Sequence, residues 1–121
     1  MTEAQEQEAL FEMAAYHPVT RDLLYAIPND GKRSAREGAR FKKRGLKPGV
    51  PDICLPISAG TKSALYIELK REHVPPNPPA RATLEQREWI KKLNKAGNYA
   101  CIAYGWKQAW DVITNYLEGR L

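Results

Sequence analysis

Residues 51–70 read PDICLPISAGTKSALYIELK and contain two apolar runs on either side of a short polar segment. The side chains of a strand alternate between the two faces of its sheet, so Leu65, Ile67 and Leu69 share one face of the second run. The segment between the runs, residues 58–63, is short and turn-forming. The stretch therefore predicts two neighbouring strands joined as a β-hairpin.

Three chemically active side chains come close together in this hairpin. Glu68 and Lys70 share the strand face of Tyr66, and antiparallel pairing can bring Asp52 beside them. Two carboxylates and an amine are the groups that metal-assisted phosphodiester hydrolysis needs. Each also has an ordinary explanation. Asp is common where strands begin, and Glu68 with Lys70 could form a structural ion pair, although the attraction in buried pairs seldom offsets their desolvation.

The bulk composition is that of an ordinary globular chain. The sequence has 121 residues, 43% of them hydrophobic, which predicts one domain over residues 1–121. The sequence shows neither a membrane span nor the start of a signal peptide, so we expect a soluble, cytoplasmic protein without a membrane partner. Cys54 and Cys101 fall inside apolar runs and are expected to be buried free thiols. No CxxC pair is present, and His17 lies far from His73 in the sequence, so a zinc site is poorly supported.

The positive charge of the chain is concentrated in one segment. The net charge is +5, but residues 31–47 alone carry +7, with Glu37 as the single acid, and the remainder sums to −2. Such a segment indicates a polyanionic partner, although a solvated helix face is the alternative. Its eight basic residues are Lys32, Arg33, Arg36, Arg40, Lys42, Lys43, Arg44 and Lys47.

Hydrophobic spacing and turn residues predict an α/β chain. The apolar run at residues 99–104 predicts a central strand buried on both faces. A basic helix is predicted with an interruption around Gly38, and residues 71–79 are too rich in proline for regular structure. A four-stranded mixed sheet flanked by helices is the natural architecture. Helices are predicted over residues 3–16, 33–44 and 83–96 and after Trp106, and strands over 23–27, 53–57, 64–70 and 99–104.

These motifs resemble a known family. Gly49-Val50-Pro51-Asp52 followed by Glu68-Leu69-Lys70 is similar to the PD-(D/E)xK nuclease signature in the form carried by VRR-NUC domains. The chain looks most like the small stand-alone members found in phages and prophages, which would place it in the cytoplasm of a bacterial host cell. The other matching features are Gln7 in the first helix, the turn Asn29-Asp30-Gly31-Lys32-Arg33, the pair Glu85-Gln86 and the approach to the last strand.

The resemblance implies a restriction-endonuclease-like fold and a divalent-metal phosphodiesterase. Asp52 and Glu68 would bind Mg²⁺ or Mn²⁺ with help from the main-chain carbonyl of Leu69. Lys70 would orient or activate the attacking water and stabilise developing charge. Gln86 would point toward the metal or the bound phosphate, while its alternative role is to complete a capping box that begins at Thr83.

The resemblance also implies an acid from the first helix and a surface for DNA. Glu3 and Glu6 lie one turn apart with Gln7, and the sequence does not choose between them. Acids in a first helical turn also complement the helix dipole without any further function. Asn29 and the eight basic residues are the candidates for contact with DNA phosphates.

The function that follows from the resemblance is cleavage of branched DNA. Stand-alone members look like homodimeric Holliday junction resolvases, so a Mg²⁺-dependent endonuclease acting on junction DNA as a homodimer is the first hypothesis. A flap, nicking or restriction-type nuclease is an alternative. A DNA-binding module without catalysis is the alternative from another class of protein.

Overall fold

The computed structural model describes residues 1–28 and 35–121, and it confirms the predicted α/β class. A four-stranded mixed sheet is flanked by helices. Within the described residues, no helix combines the length and the apolar character that crossing a membrane requires. In chain order the elements are α1 (Glu3–Ala14), α2 (Pro18–Leu23), β1 (Tyr25–Ala26), α3 (Ala35–Lys43), β2 (Ile53–Leu55), β3 (Leu65–Lys70), α4 (Leu84–Lys95), β4 (Tyr99–Tyr104) and α5 (Trp106–Leu117).

The predicted hairpin forms the middle of the sheet. The strand order is β1-β2-β3-β4, and β2 pairs antiparallel with β3 so that Ile53 lies opposite Ile67. β1 pairs antiparallel with the other edge of β2, and β4 runs parallel to β3 after the helical crossover through α4. β3 is therefore an interior strand. All of its residues except Tyr66 are buried, including Glu68 and Lys70.

Three local features differ from the sequence prediction. The short helix α2 was not predicted; Pro18 begins it, at a position where helices tolerate proline because the first N–H groups have no partner inside the helix. Leu23 ends this helix, so the strand predicted over residues 23–27 is reduced to β1. Helix α3 runs through Gly38 without interruption.

β4 is an edge strand, which corrects the prediction of a central strand buried on both faces. Among the residues that the structure describes, it pairs with β3 alone, and Tyr104 is 36% exposed. Its apolar sequence serves contacts with α4 and α5, which both pack against it. The side chain of Asn94 hydrogen-bonds both the N–H and the carbonyl of Ala100 at 2.9 Å, and Gln108 Oε1 accepts from the Tyr104 N–H at 2.6 Å. These bonds cover much of the outer edge, which limits pairing with another strand.

The hydrophobic core fixes α1 and α5 against β3. Leu10 of α1, Ile67 of β3 and Ile113 of α5 are fully buried. Burial of one such side chain contributes about 1.5–3 kcal/mol. The core thereby brings the first turn of α1 to the end of β3, where Glu3 approaches Lys70.

The proline-rich connection after β3 is held by its own hydrogen bonds. As predicted, residues 71–79 contain neither helix nor strand. The guanidinium group of Arg71 donates to the Pro78 carbonyl at 2.8 Å, and His73 Nε2 lies 3.0 Å from the Asn77 carbonyl oxygen. The segment is therefore a loop closed on itself that begins where β3 ends.

Candidate active site

Asp52 is held in front of β2 by its backbone and by its side chain. Its carbonyl accepts a hydrogen bond from the Ile27 N–H at 2.7 Å, and its Oδ2 accepts from the Leu69 N–H at 2.9 Å. The second bond directs the half-buried carboxyl group toward the peptide that lies between Glu68 and Lys70. The structure therefore brings together the three residues that the hairpin pattern placed side by side.

Pro51 leaves the main-chain carbonyl of Leu69 without a partner from β2. Continuing the antiparallel register of β2 and β3 by two residues places Leu69 opposite Pro51. The N–H and the carbonyl of one strand residue face the same neighbouring strand, and the Leu69 N–H points toward Asp52 on the β2 side. Proline has no N–H to donate to this carbonyl. The Leu69 carbonyl oxygen therefore receives no ladder hydrogen bond from Pro51, on the side where Asp52 lies.

Glu68 is a buried acid with one unsatisfied oxygen. It is 1% exposed, and its Oε1 has no hydrogen-bond partner among the described residues. Its Oε2 lies 3.5 Å from Lys70 Nζ and accepts from Gln86 Nε2 at 3.3 Å. Burial first, and then the neighbouring Asp52 carboxyl, raise the pKa of Glu68 to about 8, while Lys70 acts in the opposite direction. Two carboxyl groups therefore lie close together, and the positive charge of Lys70 does not offset the effects of burial and of their proximity.

Lys70 connects the buried acid to the first helix. Its side chain is 8% exposed, and its Nζ lies 3.9 Å from Glu3 Oε1 in addition to the contact with Glu68. Glu3 is about half exposed, at 49% of its side chain. The amine therefore has an acid on each side, which fixes its position at the boundary between core and solvent.

Gln86 completes the predicted capping box and also contacts the buried acid Glu68. Its Oε1 accepts from the Thr83 N–H at 2.8 Å, and its backbone N–H donates to Thr83 Oγ1 at 3.1 Å, which completes the predicted capping box of α4. Its Nε2 donates to Glu68 Oε2 from the same amide group. The cap therefore orients the side chain that contacts the buried acid.

The loop before Asp52 packs directly on the first turn of α4. Gly49 has φ +88°, and a Cβ atom at this position would lie 2.7 Å from the backbone carbon of Glu85. Trp89 Nε1 donates to the Pro48 carbonyl at 3.0 Å. The sequence did not predict this contact, because its only local signal was Gly49 two residues before Pro51. The contact joins the segment that carries Asp52 to the helix that carries Gln86.

The structure separates the two candidate acids of the first helix. Glu3 contacts Lys70 and lines an open cavity of about 450 Å³ together with Gln7, Asp52 and Leu69. Glu6 is buried away from this cavity, and its carboxyl group accepts hydrogen bonds from backbone N–H groups. The geometry therefore favours Glu3 as the acid that the first helix contributes. The remaining wall of the cavity consists of Ala4 and residues 26–28.

The described part of the basic segment lies on the surface, immediately upstream of Asp52. α3 and the loop after it expose a series of cationic side chains. Asn29, Lys32 and Arg33 lie outside the described residues. The exposed cations are Arg36, Arg40, Lys42, Lys43, Arg44 and Lys47.

The donor atoms of the site suit a hard divalent cation. Over residues 1–28 and 35–121, no group of three or more His, Cys, Asp and Glu side chains could hold a metal ion. The candidate set is instead two carboxyl groups, from Asp52 and Glu68, and the main-chain carbonyl of Leu69. A buried oxygen without a partner costs free energy unless a ligand satisfies it, and the unsatisfied Glu68 oxygen is such an atom. Oxygen ligands of this kind are those that Mg²⁺ prefers, with water and phosphate completing its shell.

Comparisons with known proteins agree with this fold and identify the family. A family profile of the VRR-NUC domain matches residues 2–106. A solved structure described as "VRR_NUC domain protein" is similar to this chain, with 28% sequence identity and a TM-score of 0.84. The similarity covers 98% of this chain and 90% of the chain in that structure. No curated protein matches the chain. Because the family profile spans most of the sequence, the chain belongs to the VRR-NUC domain family of DNA-processing nuclease domains.

Proposed function

We propose that this nuclease domain is a divalent-metal-dependent, structure-specific DNA endonuclease that hydrolyses phosphodiester bonds. The observation that carries the proposal is the buried Glu68 Oε1, which has no partner among the described residues although Asp52 and Lys70 lie beside its carboxyl group. Such an arrangement is costly for a protein that has no ligand to place there.

The cation would be Mg²⁺ or Mn²⁺, held by Asp52, Glu68 and the main-chain carbonyl of Leu69. When bound, such an ion lowers the pKa of water and polarises a phosphoryl oxygen. The Leu69 N–H keeps the Asp52 carboxyl turned toward the site, and Gln86 keeps that of Glu68 in place. The chain therefore orients both acids before a substrate arrives, which reduces the reorganisation that the reaction requires.

Lys70 would orient the attacking water and stabilise the negative charge that develops on the phosphate. Its amine is fixed between Glu68 and Glu3, at 3.5 Å and 3.9 Å. A preorganised group of this kind contributes on the order of 10² to 10³ in rate. Glu3 and Gln86 would complete the site from α1 and α4, whereas Glu6 lies outside it.

For the substrate and the assembly, we propose that a homodimer resolves Holliday junctions. The exposed cations of α3 and of the loop after it would hold the phosphates of branched DNA. Two active sites related by a twofold axis could then cut opposite strands of a four-way junction. Sedimentation of the protein with and without a junction tests this assembly. A protein that stays monomeric in both cases would contradict it.

Cleavage of a labelled four-way junction, a flap and a plain duplex in Mg²⁺ or Mn²⁺ tests the activity. We expect preferential cutting of the junction, and a loss of about 10² to 10³ in rate for Lys70→Ala with junction binding retained. Lys91→Ala, which removes an exposed amine of α4, is the matched control and should cut normally. Preference for the flap or the duplex would indicate a flap, nicking or restriction-type enzyme. No cleavage with either metal would indicate a DNA-binding module.

A further inference from the structure

Glu6 is a buried acid whose two oxygens accept hydrogen bonds from distant parts of the backbone. It is 2% exposed. Its Oε2 accepts from the Glu72 N–H at 2.8 Å, and its Oε1 accepts from the Trp106 N–H at 3.2 Å. These donors are 66 and 100 residues away in the sequence. One side chain therefore joins α1 to the exit of β3 and to the start of α5.

At α5, Glu6 takes the place of a helix cap. The N-cap residue is Gly105, which has no side chain to accept from the first N–H groups of the helix. Glu6 accepts from Trp106, the first residue of α5, and an acid at this end suits the positive pole of the helix dipole. A Cβ atom at Gly105 would lie 3.2 Å from the Glu72 Cβ and 3.4 Å from Glu6 Oε2, and φ there is +90°. Glycine at position 105 therefore permits Glu72 and Glu6 to approach the backbone closely.

At β3, the bridge ends two residues after Lys70. The Gly105 N–H donates to the Lys70 carbonyl at 2.8 Å, and the next residue, Trp106, donates to Glu6. The same turn thus holds the backbone of Lys70 and the carboxyl group of Glu6. Glu3 lies one helical turn before Glu6 on α1, and it approaches Lys70 Nζ to 3.9 Å.

We infer that Glu6 is a positioning residue of the active site, a role that rests on the proposed nuclease function. It fixes the first turn of α1 to the exit of β3 and so sets the position of Glu3 relative to Lys70. It acts through these two residues and contacts neither the cavity nor the substrate. A displacement of about 1 Å in such a site can lower the rate about 10²-fold.

Glu6→Gln tests the inference because it preserves the shape of the side chain. It replaces one accepting oxygen with an amide group that faces a backbone N–H. Glu12→Gln is the matched control, since Glu12 is exposed on the same helix and loses the same charge. With a labelled junction and Mg²⁺, at a temperature where circular dichroism shows folded protein, we expect kcat of Glu6→Gln to fall about 10- to 100-fold with KM within about threefold of wild type. Glu12→Gln should match wild type.

A double substitution separates positioning from general stabilisation. If Glu6 acts through Glu3, then Glu6→Gln lowers kcat much less in a Glu3→Gln protein than in the wild-type protein. Multiplicative effects, or a wild-type kcat in folded Glu6→Gln, would overturn the inference and leave the proposed function standing. If Glu6→Gln does not fold, Glu6→Asp serves the same comparisons, because it keeps the charge and shortens the reach. A wild-type protein that cuts no DNA with either metal would remove the proposed function and this inference together.

Discussion

Glu68 has the most perturbed environment among the acids of the site. It is almost completely buried, and burial together with Asp52 raises its pKa to about 8 from an ordinary value of 4.5. At neutral pH the metal-free protein therefore keeps the proton of Glu68. Lys70 lowers the pKa of Glu68, but it does not offset the effects of burial and of Asp52.

The metal-free protein should lose stability as the pH rises from about 4.5 to about 8. In this window the folded protein keeps the Glu68 proton and the unfolded chain releases it, so each rise in pH favours the unfolded chain. The contribution of Glu68 to the free energy of unfolding should therefore be largest below the lower pH and fall by at most about 1.4 kcal/mol per pH unit up to the higher one. Urea unfolding in a chelating buffer measures this slope. Glu68→Gln should flatten it, and an unchanged slope in that variant would contradict the assignment to Glu68.

Gln86 and Thr83 offer a matched pair of substitutions. Thr83→Ala removes a cap of α4 and should cost about 1 kcal/mol of stability, while the cleavage rate of the folded protein stays close to wild type. Gln86→Ala also removes the contact with Glu68, so it should lower the rate about tenfold at a similar loss of stability. Urea unfolding and junction cleavage give the two quantities. Equal cleavage by the two variants would limit Gln86 to its role in the cap.

Among the helices and strands, α4 depends on the loop before β2 for its position at the site. Gly49 and Pro48 contact the first two turns of α4, and Gln86 lies between these contacts and Glu68. A displacement of this loop would therefore move both Asp52 and Gln86. The contact joins elements that the sequence separates by more than thirty residues, which is why spacing alone did not predict it.

Gly49→Ala should be more damaging than Gly45→Ala, although both glycines have positive φ values of +88° and +94°. A Cβ atom at Gly45 meets nothing within 4 Å. That variant should therefore lose only the stability that corresponds to the added backbone strain, about 1–2 kcal/mol. At Gly49 the added Cβ also meets the backbone of Glu85, which should cost roughly 1–3 kcal/mol more. Urea unfolding of both variants measures the difference. Equal losses of stability in the two variants would show that the loop around Gly49 accommodates the added Cβ atom without a further loss of stability.

Local patterns predicted the centre of the fold better than its borders. Alternation between Leu65 and Lys70 and the short loop before them specified the hairpin, which the structure confirms. Neither the edge position of β4 nor the choice between Glu3 and Glu6 followed from the sequence. The first depends on which strands pair across the sheet. The second depends on backbone N–H groups that reach Glu6 from beyond β3 and from α5.

For the molecule as a whole, the distribution of charge is more informative than its total. Residues 31–47 carry +7 and the rest of the chain −2, so the positive charge is concentrated in the segment that precedes Asp52 in the sequence. α4 also exposes basic side chains, Arg87, Lys91 and Lys95, but it carries Glu85 and Glu88 as well. The two helices therefore allow a comparison in which the charge removed is equal and only its place differs.

Neutralising α3 should reduce the salt dependence of DNA binding, and neutralising α4 should not. If roughly five cations of the basic segment contact phosphates, the slope of log K against log salt should be about −4 to −5 for wild type. Replacing Arg36, Arg40 and Lys43 by Gln should bring this slope to roughly −2, because each lost phosphate contact removes about 0.9. Fluorescence anisotropy with a labelled junction at several salt concentrations measures it.

The matched control replaces Arg87, Lys91 and Lys95 by Gln, which removes the same charge from α4. A phosphate contact releases counterions only where the cation lies against the DNA, so this control should keep the wild-type slope. Equal losses in the two triple variants would mean that net charge rather than the basic segment governs binding. A wild-type slope in the α3 variant would remove that segment from the DNA interface, because a lost phosphate contact would have reduced the slope.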